Sequence, residues 1–183
     1  MLSNQPNQDS ATKSTANLSP EFDKKAEINF YETTEGELVK SAIALLVKIS
    51  NETDKILVFS QNTDFLQQLD NSLWSFSKNK FLPHATIFDK EFTANRQPIL
   101  LSNQLENGNN SKYLLFFDLP NPTEITNSDI TKFLAKFSRA FYFFEEGAKN
   151  SEISQKISPN NYFKKLAGKW IREELPAVRK ANN

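Results

Sequence analysis

The run Lys55 to Ser60, KILVFS, constrains the fold more than any other stretch of the chain. Its four central residues are apolar without alternation, which suits a strand covered on both faces, and such strands sit at the centre of parallel sheets flanked by helices. The neighbouring segments agree. Glu27 to Glu32, EINFYE, is an aromatic and β-branched run that reads as a first strand. Between the two, Leu38, Ala42, Leu45, Leu46 and Ile49 fall on one face of a 3.6-residue period, behind Thr34 and Glu37 at capping-box spacing. Phe65, Leu66, Leu69 and Leu73 repeat the helical spacing behind a cap at Asn62 or Thr63. Strand, helix, strand, helix predicts an α/β fold with a mainly parallel sheet.

Farther along, Pro98 to Ser102 and Tyr113 to Asp118 read as two more strands, and the polar QLENGNNSK between them as an exposed loop. Thr126 and Asp129 cap a helix whose Ile130, Phe133, Leu134 and Phe137 fall at i, i+3, i+4 and i+7, and Ala140 to Glu145 follows as a last strand. The segment from Ala148 to about Glu174 reads as helical, restarting where Ser158 and Pro159 supply an N-cap and first-turn pair, with Tyr162, Phe163, Leu166, Ala167 and Trp170 as its docking face. Met1 to about Lys24 has scarcely any large apolar residue and cannot bury enough surface to offset the entropy of ordering. The expected division is a disordered leader over 1–25, an α/β domain over 26–175 and a flexible tail over 176–183.

Composition excludes several functions. Acidic and basic residues balance at 22 each, so no global field favours DNA or a membrane surface. With no cysteine, disulfides, thiolate metal sites and cysteine nucleophiles are ruled out, and a cytosolic setting is expected. No apolar run approaches the roughly 20 residues of a membrane span. The four glycines, Gly36, Gly108, Gly147 and Gly168, cannot spell GxGxxG or GxxxxGK[ST], so an α/β sheet here lacks the turn that closes on phosphate, and no cofactor is expected.

Catalytic candidates are few. His84 is the sole imidazole, and its ordinary role is a bond to a backbone carbonyl at the edge of a loop. Glu145 and Glu146 are adjacent on a strand and point to opposite faces, so they cannot share a substrate. Asp118, at the carboxyl edge of the sheet, carries the enzymatic alternative, a small-molecule-binding α/β enzyme. No metal site is expected. Local charge gathers at the C-terminus, where Lys156 to Asn183 holds seven basic residues against two acidic ones, interleaved with Tyr162, Phe163 and Trp170. Basic and aromatic groups together suit single-stranded nucleic acid or an acidic peptide with a hydrophobic end.

The most unusual stretch is Leu69 to His84, LDNSLWSFSKNKFLPH, which loads a connection with Trp74, Phe76, Phe81 and Leu82. LDNSLW, a spacer and FLPH resemble the signature segment of the chi subunit of bacterial DNA polymerase III. The likeness extends through KILVF, QPILLS and LLFFDL and spans roughly Ile28 to Ile171. It implies a Rossmann-like three-layer fold and a non-catalytic adaptor of the replicative polymerase holoenzyme, associated with the nucleoid through the replisome. It also implies two binding faces. Trp74 and Phe81, with Leu82, Pro83 and His84, would meet the small psi subunit, or a repair helicase that competes for the same surface. The final helix would take the acidic, Phe-ended tail of single-stranded DNA-binding protein through Lys156, Tyr162, Lys164, Lys165 and Lys169, without sequence-specific contact to DNA. SPNNYFKKLAG departs from the family pattern at Ser158 and Pro159, near where an Arg is expected. Trp74 and Phe81 are expected to be partly exposed.

Overall fold

The computed structural model describes residues 26–50, 54–89, 93–118, 127–147 and 157–174. Strands β1 (Glu27–Thr33), β2 (Ile56–Phe59), β3 (His84–Thr86), β4 (Ile99–Ser102), β5 (Tyr113–Phe116), β6 (Arg139–Glu145), β7 (Asn161–Leu166) and β8 (Lys169–Glu173) form one sheet in the order β3-β4-β2-β5-β6-β1-β7-β8. Every neighbouring pair is parallel except β7 and β8. The KILVFS strand lies between β4 and β5 with all four residues buried, as its unbroken apolar run predicts.

Alternation along the strands sends side chains to two opposed cores. Ile56 and Val58 of β2, Ile99 and Leu101 of β4, and Phe141 and Phe143 of β6 pack under α1 (Leu38–Ser50) and α2 (Thr63–Ser75). Leu57, Phe59, Leu100, Phe116 and Tyr142 point the other way, beneath Ile130, Phe133, Leu134 and Phe137 of α3 (Asn127–Leu134) and the turn after it. The result is the expected three-layer Rossmann-like fold. Thr34 Oγ1 donates to Glu37 ahead of α1 at 3.3 Å, and the Asn62 side chain accepts from Phe65 N at 3.0 Å to open α2. Thr126, expected to cap α3, lies outside the described residues.

Two regions differ from the sequence expectation. The loop between β4 and β5 is only partly exposed. Asn109 is fully buried, donating from Nδ2 to the carbonyls of Ile56 and Gln97, and Ser111 Oγ donates to its Oδ1. These polar side chains substitute for strand partners at the amino edge of the sheet. The larger difference is at the C-terminus. Where a helix over about 159–174 is expected, the chain forms β7 and β8, an antiparallel hairpin that extends the sheet beyond β1. Its two-residue turn has Ala167 at φ 49° and Gly168 at φ 76°, the left-handed pair of a type I′ turn, whose twist matches the strands it joins.

Candidate functional site

Two surfaces emerge from this frame. The first lies where α2 ends. Leu66, Leu69 and Leu73 turn that helix's apolar face to the sheet, so Trp74, about 100° farther round, faces outward. It is 60% exposed, and Phe81 beside it is 63% exposed, the ring centroids being 5.5 Å apart. The exposure expected of this pair is present. Leu82 and His84 do not share it. Both are buried, because the chain enters β3 here and alternates, leaving Pro83 outside and its two neighbours inside.

His84 supports the surface from below. Its Nδ1 lies 2.6 Å from the Leu82 carbonyl, the backbone bond expected of it, and its ring lies 4.9 Å from that of Trp74. Nε2 sits 3.2 Å from Asp70 Oδ1 of α2, though not aligned for a hydrogen bond. Burial raises the Asp70 carboxyl above its ordinary range and the Asp89 charge adds to this, while His84 opposes it. Neither Asp70 nor the 53%-exposed Phe88, just past β3, was marked by sequence reasoning. No periodicity in the sequence signals that a Phe in this turn is exposed.

The second surface is the hairpin. On the face shared with α1, Phe163 stacks on Tyr31 at 4.9 Å, and Trp170 stands edge-on to Tyr31 at 5.0 Å and to Phe143 at 5.8 Å. The five residues named from sequence are redistributed by the change from helix to hairpin. Lys165 and Lys169, expected one turn apart on a helix face, instead project to opposite faces of the sheet, since Lys165 pairs with Trp170 and Lys169 with Leu166. Lys165 is buried, with Nζ 2.8 Å from Glu37, 2.9 Å from Ser41 Oγ and 5.7 Å from the Trp170 ring centroid. Lys164 is held by Glu146 at 2.7 Å and Glu32 at 3.3 Å, and the Tyr162 hydroxyl donates to Glu32. Burial and that bond push the Tyr162 hydroxyl pKa up. Lys169 is exposed, and Lys156 lies outside the described residues. Arg172, unmarked in the sequence, is exposed on the aromatic face and donates to Asn161 Oδ1 at 2.6 Å.

The sheet's carboxyl edge is otherwise engaged. Asp118 accepts from Ser60 Oγ and, at 2.8 Å, from Gln61 N, so it holds the turn from β2 into α2. At the β1–α1 turn, where a Rossmann fold would seat a phosphate, Glu145 accepts from Gly36 N at 2.9 Å and Glu37 sits just ahead of the helix. Two carboxylates of the chain itself thus lie at the turn that leads into α1. Among the described residues no group of three or more His, Asp or Glu side chains could hold a metal ion, and no helix is long and apolar enough to cross a membrane.

The class defined here is a three-layer α/β domain whose carboxyl-edge acids Asp118 and Glu145 are engaged in the fold and whose Trp74–Phe81 pair is exposed. Residues 26–156 match the family model of the DNA polymerase III chi subunit, HolC, and the chain belongs to that family, whose members are accessory subunits in DNA replication. A curated relative, the probable DNA polymerase III subunit chi of Rickettsia prowazekii (strain Madrid E), is 25% identical over 114 residues, 62% of this chain and 66% of the relative. The match thus spans just under two thirds of that relative's length. Among solved structures, the C-terminal domain of a possible DNA helicase from Lactobacillus plantarum aligns at 11% identity and a TM-score of 0.40, over 67% of this chain and 74% of that one. The family match includes Trp74 and Phe81 and ends before the hairpin.

Proposed function

We propose that this chain is a non-catalytic adaptor of the polymerase III holoenzyme, joining the clamp loader to single-stranded DNA-binding protein. The Trp74–Phe81 surface takes the psi subunit, or a repair helicase at the same place. The observation that carries the reading is that pair of large aromatics, exposed side by side on a rigid, buried base within the family-matched segment. Exposed aromatics on a fixed scaffold lose little entropy on docking and are enriched among interface hot spots. Pro83 shares the contact, while Leu82 and His84 act from beneath.

The acidic tail of single-stranded DNA-binding protein is assigned to the hairpin. An acidic segment ending in an aromatic residue needs cations beside an apolar slot. Phe163, Tyr31 and Trp170 form the apolar part, with Arg172 on the same face. Lys169 at the turn adds charge on approach, whereas Lys164 and Lys165 are already paired within the protein. Such a complex brings the chain to the replisome, and so to the nucleoid, through proteins rather than through DNA.

The test is a pair of titrations on the intact chain. Purified psi should bind wild type and lose affinity with Trp74→Ala. A labelled acidic Phe-ended peptide should bind wild type and lose affinity with Arg172→Glu. Equal binding by the variants would remove the corresponding half of the assignment.

A further inference from the structure

The two edges of the sheet are finished differently. At β3, Asp89 folds back so that its carboxylate accepts from Thr86 N at 2.7 Å and its own N–H donates to the Thr86 carbonyl at 3.3 Å. The outward backbone groups of Thr86 are therefore both engaged. At β8, among the described residues, no side chain caps the backbone of Lys169 to Glu173, and all five residues are exposed. An uncapped edge strand is a template for another strand.

The hairpin turn fixes which groups that template offers. A two-residue type I′ loop makes Leu166 and Lys169 a hydrogen-bonded pair, so Lys169, Ile171 and Glu173 direct their N–H and C=O groups to β7. Trp170 and Arg172 direct theirs outward. We propose that β8 is a self-complementary docking strand, through which two copies of the chain pair antiparallel about a two-fold axis at Ile171. This goes beyond the adaptor reading and leaves the Trp74 surface and the psi partner aside, but it engages Trp170 and Arg172 of the proposed tail slot, so the second copy and the acidic peptide compete for the hairpin.

The sequence KWIRE fits that register at every position. With Ile171 opposite Ile171 of the second copy, Trp170 falls opposite Arg172 and Lys169 opposite Glu173, each twice by symmetry. The outward groups of Trp170 and Arg172 are the ones that pairing needs, giving two complete hydrogen-bonded pairs. On one face of the joined sheet each indole lies beside a guanidinium of the other copy; on the other, two Lys–Glu pairs flank the isoleucines. A slip by one residue places Lys169 opposite Arg172 and loses the match of outward groups. An acidic peptide laid along the same edge would leave Glu173 and Glu174 facing like charge, so the second copy is the better occupant. A five-residue strand buries less than the roughly 1,600 Å² of a standard interface, so the association is weak and visible at high concentration.

Sedimentation velocity on the full chain, from tens of micromolar to about a millimolar, tests the proposal. Wild type should pass from monomer to dimer. Arg172→Pro removes an outward donor that β7 does not use, and should leave a monomer with an intact hairpin, judged from Trp170 fluorescence. Lys169→Glu sets carboxylates opposite Glu173 and should weaken the dimer by about tenfold, and adding Glu173→Lys should restore it. The rescue does not depend on any variant's backbone. A wild type that stays monomeric throughout, a dimer indifferent to Arg172→Pro, or a charge swap that fails to restore association would each overturn the proposal.

Discussion

The Trp74 indole lies 4.9 Å, centroid to centroid, from the imidazole of His84, whose side chain has no exposed surface. An exposed contact residue is thus set on a buried polar one, and the two should respond differently to mutation. Trp74→Ala should cost about 2 kcal/mol or more of partner binding, near thirtyfold. Its effect on unfolding in urea should be small, since the side chain faces solvent. His84→Ala should instead cost about 1–3 kcal/mol of stability, by removing the ring bonded to the Leu82 carbonyl and leaving Asp70 partly buried without its neighbour. Urea midpoints and psi titrations on the two variants separate the roles.

Asn109 offers a second test in stability alone. Its amide donates to two main-chain carbonyls, of Ile56 and Gln97, and it is fully buried. Asn109→Ala orphans both acceptors and the Ser111 hydroxyl, and should lower unfolding free energy by about 2 kcal/mol. An unchanged denaturation curve would show that water takes over these bonds.

Ala167 occupies the left-handed region at φ 49°, where a Cβ is unfavourable by roughly 1 kcal/mol. Ala167→Gly, or Ala167→Asn in keeping with Asn-Gly turns, should therefore tighten the hairpin. Slower amide hydrogen exchange in β7 and β8 is the expected result, and faster exchange would contradict the turn assignment.

Acid should loosen the same hairpin. The hydrogen bond from Lys165, followed by its charge, holds the Glu37 carboxyl below its ordinary value of 4.5. A depressed acid contributes stability that is fully present above its unfolded pKa and is lost as pH falls through the folded one. Trp170 fluorescence, read in a Trp74→Phe background, should change as pH drops below about 4.5. Glu37→Gln should flatten that change.

The same carboxylate bears on nucleotides. With Glu37 and Glu145 at the β1–α1 turn, a phosphate would meet two negative charges in place of a glycine-rich cradle. Calorimetry with ATP or NAD should give no saturable isotherm, and a micromolar one would require these acids to move aside.

How far the sequence carried depended on which physical signal each segment held. KILVFS has one reading because an unbroken apolar strand has few places to go, and the α1 and α2 faces follow from 3.6-residue spacing reinforced by Thr34, Glu37 and Asn62. The hairpin was illegible because Tyr162, Phe163, Leu166, Ala167 and Trp170 satisfy a helical period as well as a strand one, and Ala-Gly is not a customary I′ pair. β3 is three residues long and carries no pattern of its own. Trp74 and Phe81 were legible as unusual because large aromatics crowd a connection, whereas the inward turn of Leu82 and His84 required knowing that a strand begins there. Arg172 gained its neighbours only through cross-strand register.

The cap that Asp89 places on β3 limits how large an assembly this sheet can build. A sheet sticky at both margins can recruit copy after copy and grow into a fibre. With Thr86 of β3 engaged by Asp89, β8 is the more open of the two margins among the described residues, so pairing through it as proposed would favour a stop at two copies and sixteen strands. Removing that seal, as in Asp89→Ala, would turn a terminating unit into one able to polymerise.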